Sequence, residues 1–159
     1  LVILPAEELF RKNFTVADIT GALVADRSGW SITGGDYHSG SWPEVIDDST
    51  DTFMRPWGSP IMFTITFDKE YEMTGLRITA RTDNASYQNY QPNAITIEYS
   101  LNGEDYTELG TAASADGSLL KNVPSSYVAL YGSQKMKYIR ITASYGSNMG
   151  VGDFNIYAK

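Results

Sequence analysis

Oxygen-bearing side chains crowd one short run of this sequence: Asp47, Asp48, Ser49, Thr50, Asp51 and Thr52, with Glu44 just ahead of them. A calcium ion takes roughly six to eight oxygens, mixing carboxylates with the backbone carbonyls of a tight loop, and this run could supply them. The same run also reads as a solvated acidic turn whose Asp and Thr side chains hydrogen-bond their own backbone. Three other stretches mix aromatic rings with polar groups: Arg55-Pro56-Trp57-Gly58, residues 81–91 with Arg81, Asn84, Tyr87 and Tyr90, and residues 144–149, which include Tyr145. Flat rings beside charged and amide groups suit a ligand with an apolar face and an edge of hydroxyls, as a pyranose has. The same residues admit structural roles, Trp57 as a cap on the end of a barrel and Arg81 as a strand-end charge.

Composition removes several chemistries. There is no Cys, which excludes disulfides, thiolate metal sites and Cys nucleophiles together. The single His, His38, is the only residue around which a His-assisted serine site could be built, and no nucleophile elbow or Gly-rich phosphate loop accompanies it. A pair of catalytic carboxylates is trivially available among 19 acids and so carries no information. The formal net charge of −7 repels nucleic-acid backbones and anionic lipid surfaces, and the closest basic group, Lys135, Lys137 and Arg140, is not a patch. These features argue against independent catalysis, a nucleic-acid partner and membrane binding.

The elements that must position these loops are strands. Ile61, Phe63, Ile65 and Phe67 alternate with Met62, Thr64 and Thr66. Leu76-Ile78-Ala80, Ile95-Ile97-Tyr99, Ile139-Ile141-Ala143 and Phe154-Ile156-Ala158 repeat the pattern. A period of two, repeated this often, means half-buried antiparallel strands. Asn102-Gly103 between two such runs is a strong hairpin signal. With 159 residues and no intervening helices, the chain is expected to be all-β, an antiparallel β-sandwich or jelly roll. The one helix expected covers residues 5–13, where Pro5 precedes Glu7 and Glu8. Residues 1–21 read as a linker or the tail of an upstream domain, and 22–159 as the sandwich. The opening Leu1-Val2-Ile3-Leu4-Pro5 is too short for a signal-peptide core, so the chain reads as a domain cut from a longer protein.

Three segments carry a family resemblance. Val45-Ile46-Asp47-Asp48-Ser49-Thr50-Asp51-Thr52-Phe53 is similar to an Ala-x-Asp-Gly-Asp-x-x-Thr-x-Trp stretch. Ser100-Leu101-Asn102-Gly103-Glu104-Asp105-Tyr106 resembles a Ser-x-Asp-Gly-x-x-Trp hairpin. Tyr138-Ile139-Arg140-Ile141 and Asp153-Phe154-Asn155-Ile156-Tyr157 resemble closing Tyr-Ile-Arg-Ile and Glu-Ile-x-Val-Tyr strands. The family is the discoidin, or coagulation-factor type C, superfamily of galactose-binding-like domains, whose bacterial branch includes family 32 carbohydrate-binding modules.

The resemblance implies a structural Ca²⁺ held by the Glu44 carbonyl, the Asp47 side chain, Ser49, Thr52, the Gly152 carbonyl and Asp153. Asp153 stands where the family has Glu, and Asp48 where it has Gly. The resemblance also implies a sugar site on the loops at one end of the sandwich. Arg81, Asn84 and Tyr145 occupy places matching the family's Arg, Asn and late aromatic, while Arg55 stands where a His would be and Met54 where a Trp would be. Trp57, Tyr87 and Tyr90 lie in the same loops. The implied protein is a non-catalytic, calcium-bearing module for galactose- or hexosamine-type glycans. It would be monomeric alone, partnered by glycan and by other domains of its own polypeptide. It would work outside the cell, in the periplasm or at the surface of a bacterium, appended to a glycan-degrading protein such as a hexosaminidase or chitobiase. The alternative expectation is a protein-interaction or spacer domain without sugar binding.

Overall fold

The computed structural model describes residues 9–49, 51–145 and 150–159. Two long strands organise it. β5 (Ile61–Ala80) and β9 (Ser125–Ser144) are each 20 residues long, enough to serve two layers. In the first half of β5 the alternation read from the sequence holds: Ile61, Phe63, Ile65 and Phe67 point inward and Met62 outward. That half pairs with β2 (Ser31–Gly34) and with the far half of β9, from Tyr138 to Ala143. The second half, from Met73 to Ala80, pairs with the near half of β9 and with β10 (Val151–Ala158). Register breaks between Thr66 and Tyr71 and between Met73 and Gly75 separate the halves, and such irregularities let one strand pass from one layer to the other.

The remaining strands extend these layers, all antiparallel. β6 (Ala94–Ser100) joins the far half of β9 and carries β7 (Thr107–Ala113) at the edge. β1 (Ala22–Leu23) closes onto β10, and β8 (Leu120–Asn122) onto the near half of β9. β3 (Tyr37–Ser39) and β4 (Arg55–Pro56) form a small separate ribbon. The architecture is an antiparallel β-sandwich of jelly-roll type, as the alternating runs predict. The β6–β7 hairpin turns at Gly103, whose φ of 80° suits Gly. Asn102 accepts hydrogen bonds there from the Glu104 and Asp105 amides.

Aromatic side chains fill the space between the layers. Phe63 meets Phe154 edge-on at 5.7 Å, Trp42 packs on Phe63 at 5.4 Å, and Trp30 packs on Phe67 at 4.7 Å. Gly34 lets Trp42 approach so closely: a Cβ on Gly34 would fall 2.3 Å from the Trp42 ring. Gly34→Ala is therefore expected to lower stability by about 1–3 kcal/mol through over-packing. Urea unfolding followed by Trp fluorescence measures this; an unchanged midpoint would mean that the buried ring can step aside.

The N-terminal segment departs from expectation. Residues 5–8 lie outside the described residues, and the rest of the predicted helix is not helical: Phe10 forms a bridge, and the chain bends at Lys12 and Asn13, the latter with a φ of 52°. Phe10 bridges Leu130, the Arg11 amide donates to the Ala129 carbonyl, and the Tyr131 amide donates to the Leu9 carbonyl. Phe10 is buried in the core, and Phe14 and Ile19 pack with Ala129. The gain from burying these side chains and pairing with β9 outweighs a helix-start signal that is local and weak. The stretch 9–20, read from sequence as linker or tail, thus lies against the sandwich.

Candidate functional site

β5 ends at Ala80, and the next residue is fixed to the closing segment by a backbone bond from the Arg81 amide to the Gly150 carbonyl. The Arg81 side chain then enters a cage. Its Nε and Nη2 donate to the two carboxylate oxygens of Asp83 at 2.9 and 2.8 Å. Its guanidinium lies 4.1 Å from the centre of the Phe53 ring and 4.0 Å from that of Tyr87. Stacking on rings and a fork-to-carboxylate bond are what guanidinium does better than ammonium. Hydrogen bonding to Asp83 lifts Arg81 further above neutrality, and the same bond holds the Asp83 carboxyl below its usual range.

The loop that carries Tyr87 is shaped by its own sequence. Asn84 is the cap of a short 3-10 turn over Ala85–Asn89, its Oδ1 accepting from the Ser86 amide at 2.9 Å, as Asn favours. Tyr87 and Tyr90 both end half-buried, their rings 6.3 Å apart. Arg81, Asn84, Tyr87 and Tyr90 are thus brought onto one loop cluster, joined by Phe53 and Asp83.

Arg55 and Trp57 belong to the neighbouring β3–β4 ribbon. Arg55 pairs with Ser39 across it and is half-buried. Trp57 is 61% exposed, held by its amide to the Asp36 carbonyl, with His38 edge-on at 4.7 Å. Trp57 does not cap the core. It flanks a shallow groove with Gly35, Trp42, Pro56, Pro60 and Met62.

Tyr145 is not a surface platform. It is 8% exposed and lies within the core, its backbone tied to the Ser59 hydroxyl by bonds of 3.0 and 3.2 Å, and burial pushes its phenol pKa upward. The reason is parity: Ile141 and Ala143 face inward and Ser144 outward, so Tyr145 continues the inward set. The remainder of that loop, residues 146–149, lies outside the described residues.

The acidic run fits the turn reading in detail. Asp47 accepts from the Ser49 amide at 3.0 Å and from the Thr52 hydroxyl at 2.5 Å. Thr52 also donates to the Glu44 carbonyl at 3.4 Å, and Ser49 accepts from the Asp51 amide. Gly152 sits in β10, where a Cβ would fall 2.8 Å from the Ala80 carbonyl oxygen. Asp153 is 2% exposed and both its oxygens are committed to cations, one to Arg27 Nη1 at 2.7 Å and the other to Arg77 Nη2 at 2.8 Å. Burial raises the Asp153 pKa, and the two guanidiniums oppose that rise. Arg27 also donates through Nη2 to Asp48 at 2.6 Å. Among the described residues no group of three or more His, Cys, Asp or Glu is arranged to hold a metal. The oxygen set that the resemblance implies does not fit a calcium ion, because Asp153 faces two positive charges.

Sequence reasoning passed over Arg27, Phe53 and Asp83 as site residues. Asp83, placed two residues after Arg81 in a polar loop, was legible as its partner. Arg27 was not, since Asp153 lies 126 positions away.

Residues 26–154 match the F5/8 type C domain. Among solved structures the chain is similar to the family 32 carbohydrate-binding module of Clostridium perfringens NanJ in complex with galactose, at TM-score 0.69 and 16% identity over 87% of this chain and 99% of that one. It is similar to a further such module, from a family 31 glycoside hydrolase of Clostridium perfringens, at TM-score 0.67 and 21% identity over 86% and 95% of the two chains. The C-terminal domain of a chitobiase from Bacteroides fragilis aligns at TM-score 0.66 and 14% identity over 86% and 97%. No curated protein matches the chain significantly. The matched span takes in the sandwich from the start of β2 into β10, and with it the chain belongs to the F5/8 type C domain family.

Proposed function

We propose that this domain is a non-catalytic carbohydrate-binding module for galactose- or hexosamine-type glycans, and that it serves a larger secreted or surface glycan-degrading protein. The observation that carries this reading is the Arg81 cage: a guanidinium held by Asp83 between the rings of Phe53 and Tyr87. Nη1, the guanidinium nitrogen that Asp83 does not engage, would be the oriented donor beside aromatic surface that a pyranose needs. The galactose complex of the NanJ module supports the ligand class, and the chitobiase domain supports the kind of parent. One or two aromatics with a few polar groups make a weak site, which suits a module that keeps an enzyme near its polymer.

A glycan array with the isolated domain tests this. Binding to galactose- or N-acetylgalactosamine-terminated glycans is expected, with Tyr87→Ala weakening it about tenfold, an effect of about 1.4 kcal/mol. The second reading, a protein-interaction or spacer domain, is favoured by the exposed Trp57, Tyr37 and Met62. It predicts no glycan signal and a partner whose binding is lost on Trp57→Ala but kept in Tyr87→Ala.

The cage also sets a pH dependence. Asp83 is held below its usual pKa by Arg81, so the ion pair is present above the ordinary carboxylate range and is lost only as pH falls through the lowered value. Affinity is expected to stay level from about pH 8 to about pH 5, since an unperturbed Asp titrates near 3.9. Calorimetric titrations across that range check it; a several-fold fall before pH 5 would place another titrating group in the site.

A further inference from the structure

We propose that the Arg27 guanidinium takes the place of a calcium ion in this domain, tying the 44–52 loop to the closing strand so that the fold requires no divalent cation. The side chain of Arg27 is almost wholly buried, and it makes three bonds to two separate parts of the chain. One nitrogen donates to Asp153 Oδ1 at 2.7 Å and to the Phe154 carbonyl at 2.6 Å, both on β10. The other donates to Asp48 Oδ1 at 2.6 Å, in the acidic loop. A bound cation would have made the same connection by collecting oxygens from both segments.

The local charges already balance. Within the ion-paired cluster, that is, Arg27 and Arg77 contribute two positive charges and Asp48 and Asp153 two negative ones, while Asp47 and Asp51 stay exposed to solvent beside it. A divalent ion at this place would meet two guanidiniums with both Asp153 oxygens taken, and in a buried setting that repulsion is weakly screened. Asp47 meanwhile accepts from the Ser49 amide and the Thr52 hydroxyl, and the Ser49 hydroxyl oxygen accepts from the Asp51 amide, all within the loop. Asp48 completes the arrangement. Its φ of 60° lies in the left-handed region, which Asp tolerates better than most residues, so the loop keeps its tight turn while gaining the carboxylate that meets Arg27.

This inference does not depend on glycan binding, and its test uses none. The domain is purified, stripped with EDTA, and melted with EDTA or with millimolar calcium; terbium luminescence on the stripped sample reports any lanthanide-accepting site. The expected result is the same melting temperature within about 1 °C and no saturable terbium signal. A calcium ligand at a hundredfold excess over its dissociation constant would raise the melting temperature by several degrees, and such a saturable rise would overturn the proposal. Arg27→Gln is expected to melt well below the parent in EDTA and in calcium alike, and a variant melting with the parent would equally overturn it. If Arg27→Gln does not fold, the calcium and terbium titrations of the unsubstituted domain decide.

Discussion

Arg27→Gln is expected to cost the domain about 3 kcal/mol, the low end of the loss from removing one partner of a buried ion pair. At the usual sensitivity for a domain of this size, that is a drop of roughly 6–12 °C in melting temperature. The magnitude reflects the state in which each partner is left. Asp153 is 2% exposed and would keep only Arg77, whose bond reaches one carboxylate oxygen, so the other oxygen would lie buried without its donor. Asp48 would lose its partner at little cost, because its side chain is mostly exposed and water can take over. Arg77→Gln provides the contrast. Its removal also strips a donor from one Asp153 oxygen, but its side chain is partly exposed, so water can take its place while the Arg27–Asp153 pair stays intact, and about 1–2 kcal/mol is expected. Thermal melts of the two variants side by side read the difference. Equal losses would mean that Asp153, not Arg27, is the centre of the cluster.

Arg81→Ala is expected to weaken glycan binding by about thirtyfold or more while leaving the sandwich folded. A charge-assisted hydrogen bond is worth about 1.5–3 kcal/mol, and thirtyfold corresponds to about 2 kcal/mol. The substitution also frees Phe53 and Tyr87, which lose the cation that spaces their rings. Arg81→Lys is expected to recover little, since an ammonium offers neither the planar fork that Asp83 grips nor a face for the rings. Isothermal titration with the best array ligand measures both variants. A domain that binds normally as Arg81→Ala would move the site away from this loop.

The strands were legible because the signal is repeated along the chain. Five alternating runs fall within β5, β6, β9 and β10, and Asn102-Gly103 turns the hairpin it predicts. Tyr145 shows where a family match and the strand period disagree: its matching place suggested a ligand ring, but its parity sends it inward. Residues 9–13 show the opposite weakness, a local helix signal overridden by a distant partner strand. The proposed replacement of calcium by Arg27 was hidden for a related reason. The oxygens of the loop are visible in sequence, but the guanidinium that meets Asp48 and Asp153 comes from a residue far away in the chain. Long-range ion pairs leave no pattern in the local spacing of residues.

The claim that this domain binds glycan through the Arg81 cage is tested most directly by titrating galactose and N-acetylgalactosamine into isotopically labelled domain and following backbone amide resonances. The account predicts saturable shifts clustered at Phe53 and along Arg81 to Tyr90, unchanged by EDTA. Saturable shifts confined to the Trp57 and His38 ribbon, or none for either sugar in a well-folded sample, would contradict it.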